Sequence, residues 1–132
     1  MEISKQEFEA ITKLVPEKRY DYFIKRICDW EQVWTLYNDD YIILNEDKKG
    51  DLFILLFPFE PFASYYAIKT EGMQNAVCKS YSIEDFFGSF LEKLLSNNIT
   101  KALVFPIPNG FGLNVPIKTI KENVNEELEN YK

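Results

Sequence analysis

The chain contains no histidine, and this removes at once the commonest general base and the commonest metal ligand. Any catalytic reading has to work with carboxylates, lysine, tyrosine, serine or cysteine. Cysteine is scarce too. Cys28 and Cys78 are the only two and show no Cys-x-x-Cys spacing, which excludes a disulfide framework and a zinc pattern. Both are expected to be free thiols, with Cys28 a small buried hydrophobe on a helical stripe. No metal and no cofactor are expected.

Positive charge is also in short supply, with 15 Lys and Arg against 21 Asp and Glu and a net charge of -6. Basic residues gather nowhere into an electrostatic footprint for phosphates, so nucleic acid is not an expected ligand, and a basic partner fits better. Long hydrophobic runs are missing. The most apolar stretch, Leu52 to Phe59, contains Pro58 and falls far short of the roughly 20 residues that cross a bilayer. The start, MEISKQEFEAITKLVP, alternates charged and apolar residues, whereas a secretory signal needs a continuous apolar stretch of about 7 to 15 residues. The expected location is the cytoplasm, with no membrane contact.

Large apolar side chains are plentiful. Hydrophobic residues make up 46% of 132 positions and aromatics 16%, including 11 Phe and 8 Tyr. That supplies enough apolar surface to offset the entropy of ordering the chain, and the length suits one domain over residues 1–132. No internal repeat or low-complexity segment is present.

The periodicity changes along the chain. Ser4 followed by Glu7 has the form of a capping box, and Phe8 and Ile11 then recur at helical spacing. Pro16 suits the first turn of a second helix reaching Trp30, because Tyr20, Phe23, Ile24, Ile27 and Cys28 fall on one stripe. The period then becomes that of strands at Val33 to Tyr37, Tyr41 to Leu44 and Leu52 to Phe57, with Asn38-Asp39-Asp40 and the residues 47–51 as turns. Loops this short predict an antiparallel meander, and the continuous apolar run Leu52 to Phe57 predicts a central strand. Further along, Pro61 opens a short helix closing near Gly72, Val77 to Tyr81 reads as a strand, and Ser82 caps an amphipathic helix through Leu95. Thr100 to Phe105 and Phe111 to Val115 read as a strand pair across Asn109-Gly110, and Pro116 begins a final helix. The predicted fold class is α+β, with a mostly antiparallel sheet of about six strands, helices packed on it and helices at both ends.

Five stretches carry a family resemblance. These are Lys18-Arg19-Tyr20-Asp21-Tyr22-Phe23, Val33-Trp34-Thr35-Leu36-Tyr37, Phe57-Pro58, Ser82-Ile83-Glu84-Asp85-Phe86 and Val104-Phe105-Pro106. Through them the chain resembles the bacterial family known as domain of unknown function 2750 from Arg19 onward. Members carry Trp-Pro where this chain has Phe57-Pro58. The resemblance implies a small bacterial protein and brings no established activity with it.

Sites weighed residue by residue give no catalytic centre. Gly110-Phe111-Gly112 leads into a strand and offers no helix N-terminus to a phosphate. Gly88-Ser89 sits inside a helical pattern, without the strand-turn-helix setting of a nucleophile elbow. Asp39-Asp40 and Glu46-Asp47 fall in turns at opposite ends of the meander, and Glu84 and Asp85 are first-turn acids that suit the helix dipole. The most unusual segment is Phe57 to Tyr66, FPFEPFASYY, which is either an extension of the core or an exposed recognition patch. On the second reading Phe57, Phe59, Phe62, Tyr65 and Tyr66, together with the acidic turn Asp39 and Asp40, form the partner-binding surface. The leading functional expectation is a non-catalytic protein-binding domain; by analogy with other families of the size and style of the one it resembles, its sharpest form is an immunity-type inhibitor of a basic toxin or nuclease. The alternative is a small enzyme or ligand-binding domain using carboxylates and tyrosines in an aromatic pocket.

Overall fold

The computed structural model describes residues 3–108 and 110–131. Two helices come first. In α1 (Lys5–Thr12) the Ser4 hydroxyl accepts a hydrogen bond from the Glu7 N–H at 3.0 Å, as the capping box predicts. The Glu7 carboxylate is engaged elsewhere and accepts from the Tyr22 hydroxyl at 2.7 Å, tying α1 to the next helix. Helix α2 (Pro16–Trp30) starts with Pro16 in its first turn and buries Arg19, Phe23, Ile24, Ile27 and Cys28.

Seven strands follow among the described residues: β1 (Gln32–Asn38), β2 (Tyr41–Ile42), β3 (Leu44–Glu46), β4 (Leu52–Leu56), β5 (Val77–Ser82), β6 (Lys101–Val104) and β7 (Leu113–Pro116). The α+β class stands, but the strands form two sheets, a three-stranded one in the order β2-β1-β5 and a four-stranded one in the order β3-β4-β6-β7. The division arises at Ile43. Its N–H still donates to the Leu36 carbonyl of β1 at 3.0 Å, and beyond it the chain leaves β1, so that β2 stays with β1 while β3 pairs with β4. The sheets remain joined by a reciprocal pair of hydrogen bonds between Trp34 and Phe57, 3.0 and 2.9 Å long.

The apolar run Leu52–Leu56 is the central strand that its composition predicts, flanked by β3 and β6 and buried from Phe53 to Leu56. Its pairing with β6 is parallel, the one parallel ladder in a set that is otherwise antiparallel. A parallel pair needs a long crossover. Here it contains α3 (Glu60–Lys69), β5 and the helical segment that follows β5. In that segment Ser82 caps as expected, accepting from the Asp85 N–H at 3.0 Å. The single helix predicted through Leu95 is instead broken into α4 (Ile83–Asp85), a π turn (Phe86–Phe90) and α5 (Leu91–Ser96). The break falls at Gly88, whose φ of -102° and ψ of -108° are not helical, and glycine is the residue that tolerates such a departure.

Strands β6 and β7 form the expected antiparallel pair, and α6 (Ile117–Glu129) buries Ile117, Ile120 and Val124. Of the predicted Asn109-Gly110 turn, Asn109 lies outside the described residues. Gly112 is required by close approach, since a Cβ added there would lie 2.7 Å from the Val104 carbonyl oxygen. Among the described residues no helix is long and apolar enough to cross a membrane.

Candidate functional site

Between two possible fates for the aromatic segment, the structure shows core for three of its residues. Phe57, Phe59 and Phe62 are 0%, 4% and 2% exposed. Pro61 lies in the first turn of α3, so the chain after Phe59 is helical and turns Phe62, Ala63 and Ala67 inward. The Phe62 ring stacks on Phe8 with centroids 4.9 Å apart and lies 4.7 Å from the ring of Phe105. The expectation that Phe57, Phe59 and Phe62 face a partner is corrected on this ground. Tyr65 is 37% exposed and meets Phe8 edge-on, while half-buried Tyr66 leans on Phe57. Asp39 and Asp40 are exposed in the β1–β2 turn, with Asp39 at a left-handed φ of 55°.

Asp40 borders a different feature, a surface cleft of about 680 Å³ between the three-stranded sheet and the broken helix. Tyr37 from β1, Tyr41 from β2, Tyr81 from β5 and Phe90 from the π turn supply aromatic wall. Asp40, Asp85, Ser89 and Lys93 supply polar groups around it. The arrangement is fixed from below: the Tyr81 and Phe90 rings stack 4.3 Å apart, and the Tyr37 and Tyr81 hydroxyls are hydrogen-bonded to each other. Register explains the pairing, because Tyr37 stands opposite Val77 and Tyr81 opposite Val33, which puts both tyrosines on one face of the sheet. Lys79, on that same face, holds its ammonium 4.4 Å from the centre of the Tyr37 ring. Tyr41 is 79% exposed and stands free at the mouth.

The cleft offers aromatic surface and hydrogen-bonding groups. Burial, with the hydrogen bond to Tyr81 next in size, pushes the Tyr37 phenol well above its ordinary value, so it acts as a neutral hydrogen-bonding group. Asp85, Ser89 and Lys93 are all exposed to water, which is the opposite of the desolvated setting that tunes an acid, base or nucleophile. The thiols are no better placed. Burial first, then Glu127 and Asp29, raise Cys28 to about 11, and burial with Glu60 raises Cys78; a nucleophile needs the reverse shift. A second cleft carries Lys48, Lys49 and Lys101, but the Lys101 ammonium is paired with Asp51 at 3.0 Å, and Asp47 lines the same wall.

One residue quoted only for its family resemblance has a defined structural part. Arg19 is 2% exposed and makes no ion pair among the described residues; its Nε donates to the Phe105 carbonyl at 3.2 Å, and its two terminal nitrogens donate to the carbonyls of Leu14 and Phe111. The guanidinium thereby pins the α1–α2 junction to the segment after β6, where Phe105 itself sits at a φ of 55°. Spacing carried the signal, since Arg19, Phe23 and Ile27 recur every four residues on the buried stripe of α2.

Fold and site together define a small α+β domain with an open, tyrosine-lined cleft. The family model described as Protein of unknown function (DUF2750) matches residues 20–124, and the chain belongs to that family. The chain is also similar to tRNA(Met) cytidine acetate ligase of Lysinibacillus sphaericus (strain C3-41), with 27% identity over 103 residues. That stretch covers 74% of this chain and 22% of the ligase, so the chain spans about a fifth of the length of the relative it matches. No solved structure matches.

Proposed function

We propose that the chain is a non-catalytic binding domain that engages a protein partner through the cleft walled by Tyr37, Tyr41, Tyr81 and Phe90. The observation that carries this reading is the exposure of Tyr41 beside the aspartates of the cleft, in a chain of net charge -6. Tyrosine provides a large contact area at low entropic cost, and acidic neighbours steer a basic partner to it and reject acidic ones. A basic toxin or nuclease would meet that requirement, which is the form an immunity-type inhibitor takes.

A specific observation favours one other reading. The cleft is concave and collects tyrosines with carboxylates, as a small-ligand site would. The two readings separate in one experiment, binding of the protein to arrays of short basic, neutral and acidic peptides beside a panel of small aromatic and cationic metabolites. The protein-binding reading predicts selection of basic peptides with an apolar residue, weakened modestly by Asp40→Asn and about thirtyfold by Tyr41→Ala. Binding confined to small molecules would overturn it.

A further inference from the structure

Strand β5 has one strand neighbour, β1, along all six of its residues. The direction of its free backbone groups follows from the other side of β1. Trp34 exchanges both its backbone hydrogen bonds with Phe57, and the Leu36 carbonyl accepts from Ile43, so these residues point away from β5. Backbone groups alternate sides along an antiparallel strand. Val33, Thr35 and Tyr37 are therefore the residues that bond β5, through Tyr81, Lys79 and Val77 opposite them. Cys78, Ser80 and Ser82 direct their N–H and C=O groups outward, and Ser80 and Ser82 are exposed.

Such an edge is a template for another strand unless something blunts it. The other outer strands are blunted: β2 and β3 are two and three residues long, and β7 has four and ends in Pro116. Strand β5, Val-Cys-Lys-Ser-Tyr-Ser, has neither proline nor glycine. Its one charge is Lys79, and that ammonium lies over the Tyr37 ring on the sheet face, 4.4 Å from the ring centre.

We propose that β5 pairs antiparallel with β5 of a second copy, making one six-stranded sheet from two three-stranded ones. Charge selects both the occupant and the register. Outward residues must meet outward residues across a two-fold axis, and of the registers that do so, those with the axis at Lys79 or at Ser80 keep the longest overlap of the two strands, five residues each. An axis at Lys79 sets the two lysines opposite each other, which is unfavourable. An axis at Ser80 sets Lys79 opposite the second copy's Tyr81, and Cys78 opposite the second copy's Ser82. The strand is thus complementary to itself in one register, and it carries no acid that would need a basic neighbour. This pairing does not depend on what the cleft binds.

Sedimentation equilibrium from low micromolar to near-millimolar protein tests it. The expected species is twice the 15.6 kDa chain mass. Ser80→Pro removes a hydrogen-bond donor from both sides of the axis and is expected to weaken the dimer about thirtyfold. Ser80→Lys leaves the backbone intact at an exposed position, sets like charges face to face and is expected to weaken it about fivefold, with an unchanged circular dichroism spectrum. A monomer at every concentration overturns the proposal, including the case in which β5 accepts only a strand from a different protein. A dimer whose affinity Ser80→Lys leaves unchanged overturns it as well, since the copies then meet elsewhere.

Discussion

The segment Phe57–Tyr66 and the cleft between β1, β2, β5 and the π turn are both rich in aromatic rings, and the molecule uses them in opposite ways. In the first, ring packs on ring: Phe62 meets Phe8, Phe59, Tyr22 and Phe105, and the cluster closes the space between α1, α2 and α3. In the second, only the floor is packed, through Tyr81 on Phe90, while Tyr41 stays in water. Density of aromatics along the chain therefore marks mostly core here, through Phe57, Phe59 and Phe62. The surface available for recognition is assembled from residues far apart in sequence, among them Tyr37, Tyr41, Tyr81 and Phe90. Large apolar side chains next to one another in sequence bury one another most readily, whereas an exposed tyrosine needs a supporting wall from other elements.

The comparison predicts a graded set of effects. Truncating the core cluster should cost most. Phe62→Ala, at a position 2% exposed, should lower unfolding stability by about 3 to 5 kcal/mol in urea titration, the range for deleting a buried ring. Next comes Arg19→Met, which leaves the carbonyls of Leu14, Phe105 and Phe111 without their donor. It should cost about 2 kcal/mol, with faster amide exchange around the segment after β6. An unchanged or raised midpoint would mean that desolvating the guanidinium costs more than its three bonds return.

Tyr41→Ala should leave stability within about 0.5 kcal/mol of the parent, as exposed positions do, while lowering affinity for a basic peptide by about 2 kcal/mol, the scale of an interface anchor. A stability loss as large as that of Phe62→Ala would erase the distinction between the two regions. The smallest expected effect concerns pH. Cys28 is pushed up from 9.0 to about 11 in the fold, chiefly by burial, so as pH rises from about 9 to about 11 the unfolded chain gives up its thiol proton first. Stability should fall across that window, and Cys28→Ala should reduce the fall by on the order of 1 kcal/mol. In native protein at pH 8, a thiol reagent should modify half-buried Cys78 faster than Cys28.

Much of the local structure is legible in the sequence because its causes are local. Ser4 and Ser82 cap the helices that their spacing to Glu7 and Asp85 announces. The buried stripe of α2 and the apolar run of β4 appear where periodicity and composition place them. What is not legible depends on partners distant in the chain. Periodicity identifies β4 and β6 as strands, but their parallel pairing is settled by how the crossover packs. The split of the meander after Ile43 likewise depends on β3 finding its partner in β4, away from β1. The π turn was hidden because Phe86, Phe87, Phe90 and Leu91 fit an uninterrupted helical stripe, and Gly88 within it reads as a tolerated residue. At the site, Asp40 is found from its turn, whereas Tyr37, Tyr81 and Phe90 converge only once β1, β5 and the π turn are folded together.

The cleft is proposed as the recognition surface, while Phe57, Phe59 and Phe62 belong to the core. The most direct test is the aromatic carbon–proton NMR spectrum of the protein titrated with a basic peptide selected from the arrays. The prediction is that Tyr41, Tyr81 and Phe90 resonances shift with the peptide, saturating together, while those of Phe59 and Phe62 stay in place. Shifts centred on Phe59, Phe62 and Tyr65, with Tyr41 unmoved, would contradict it.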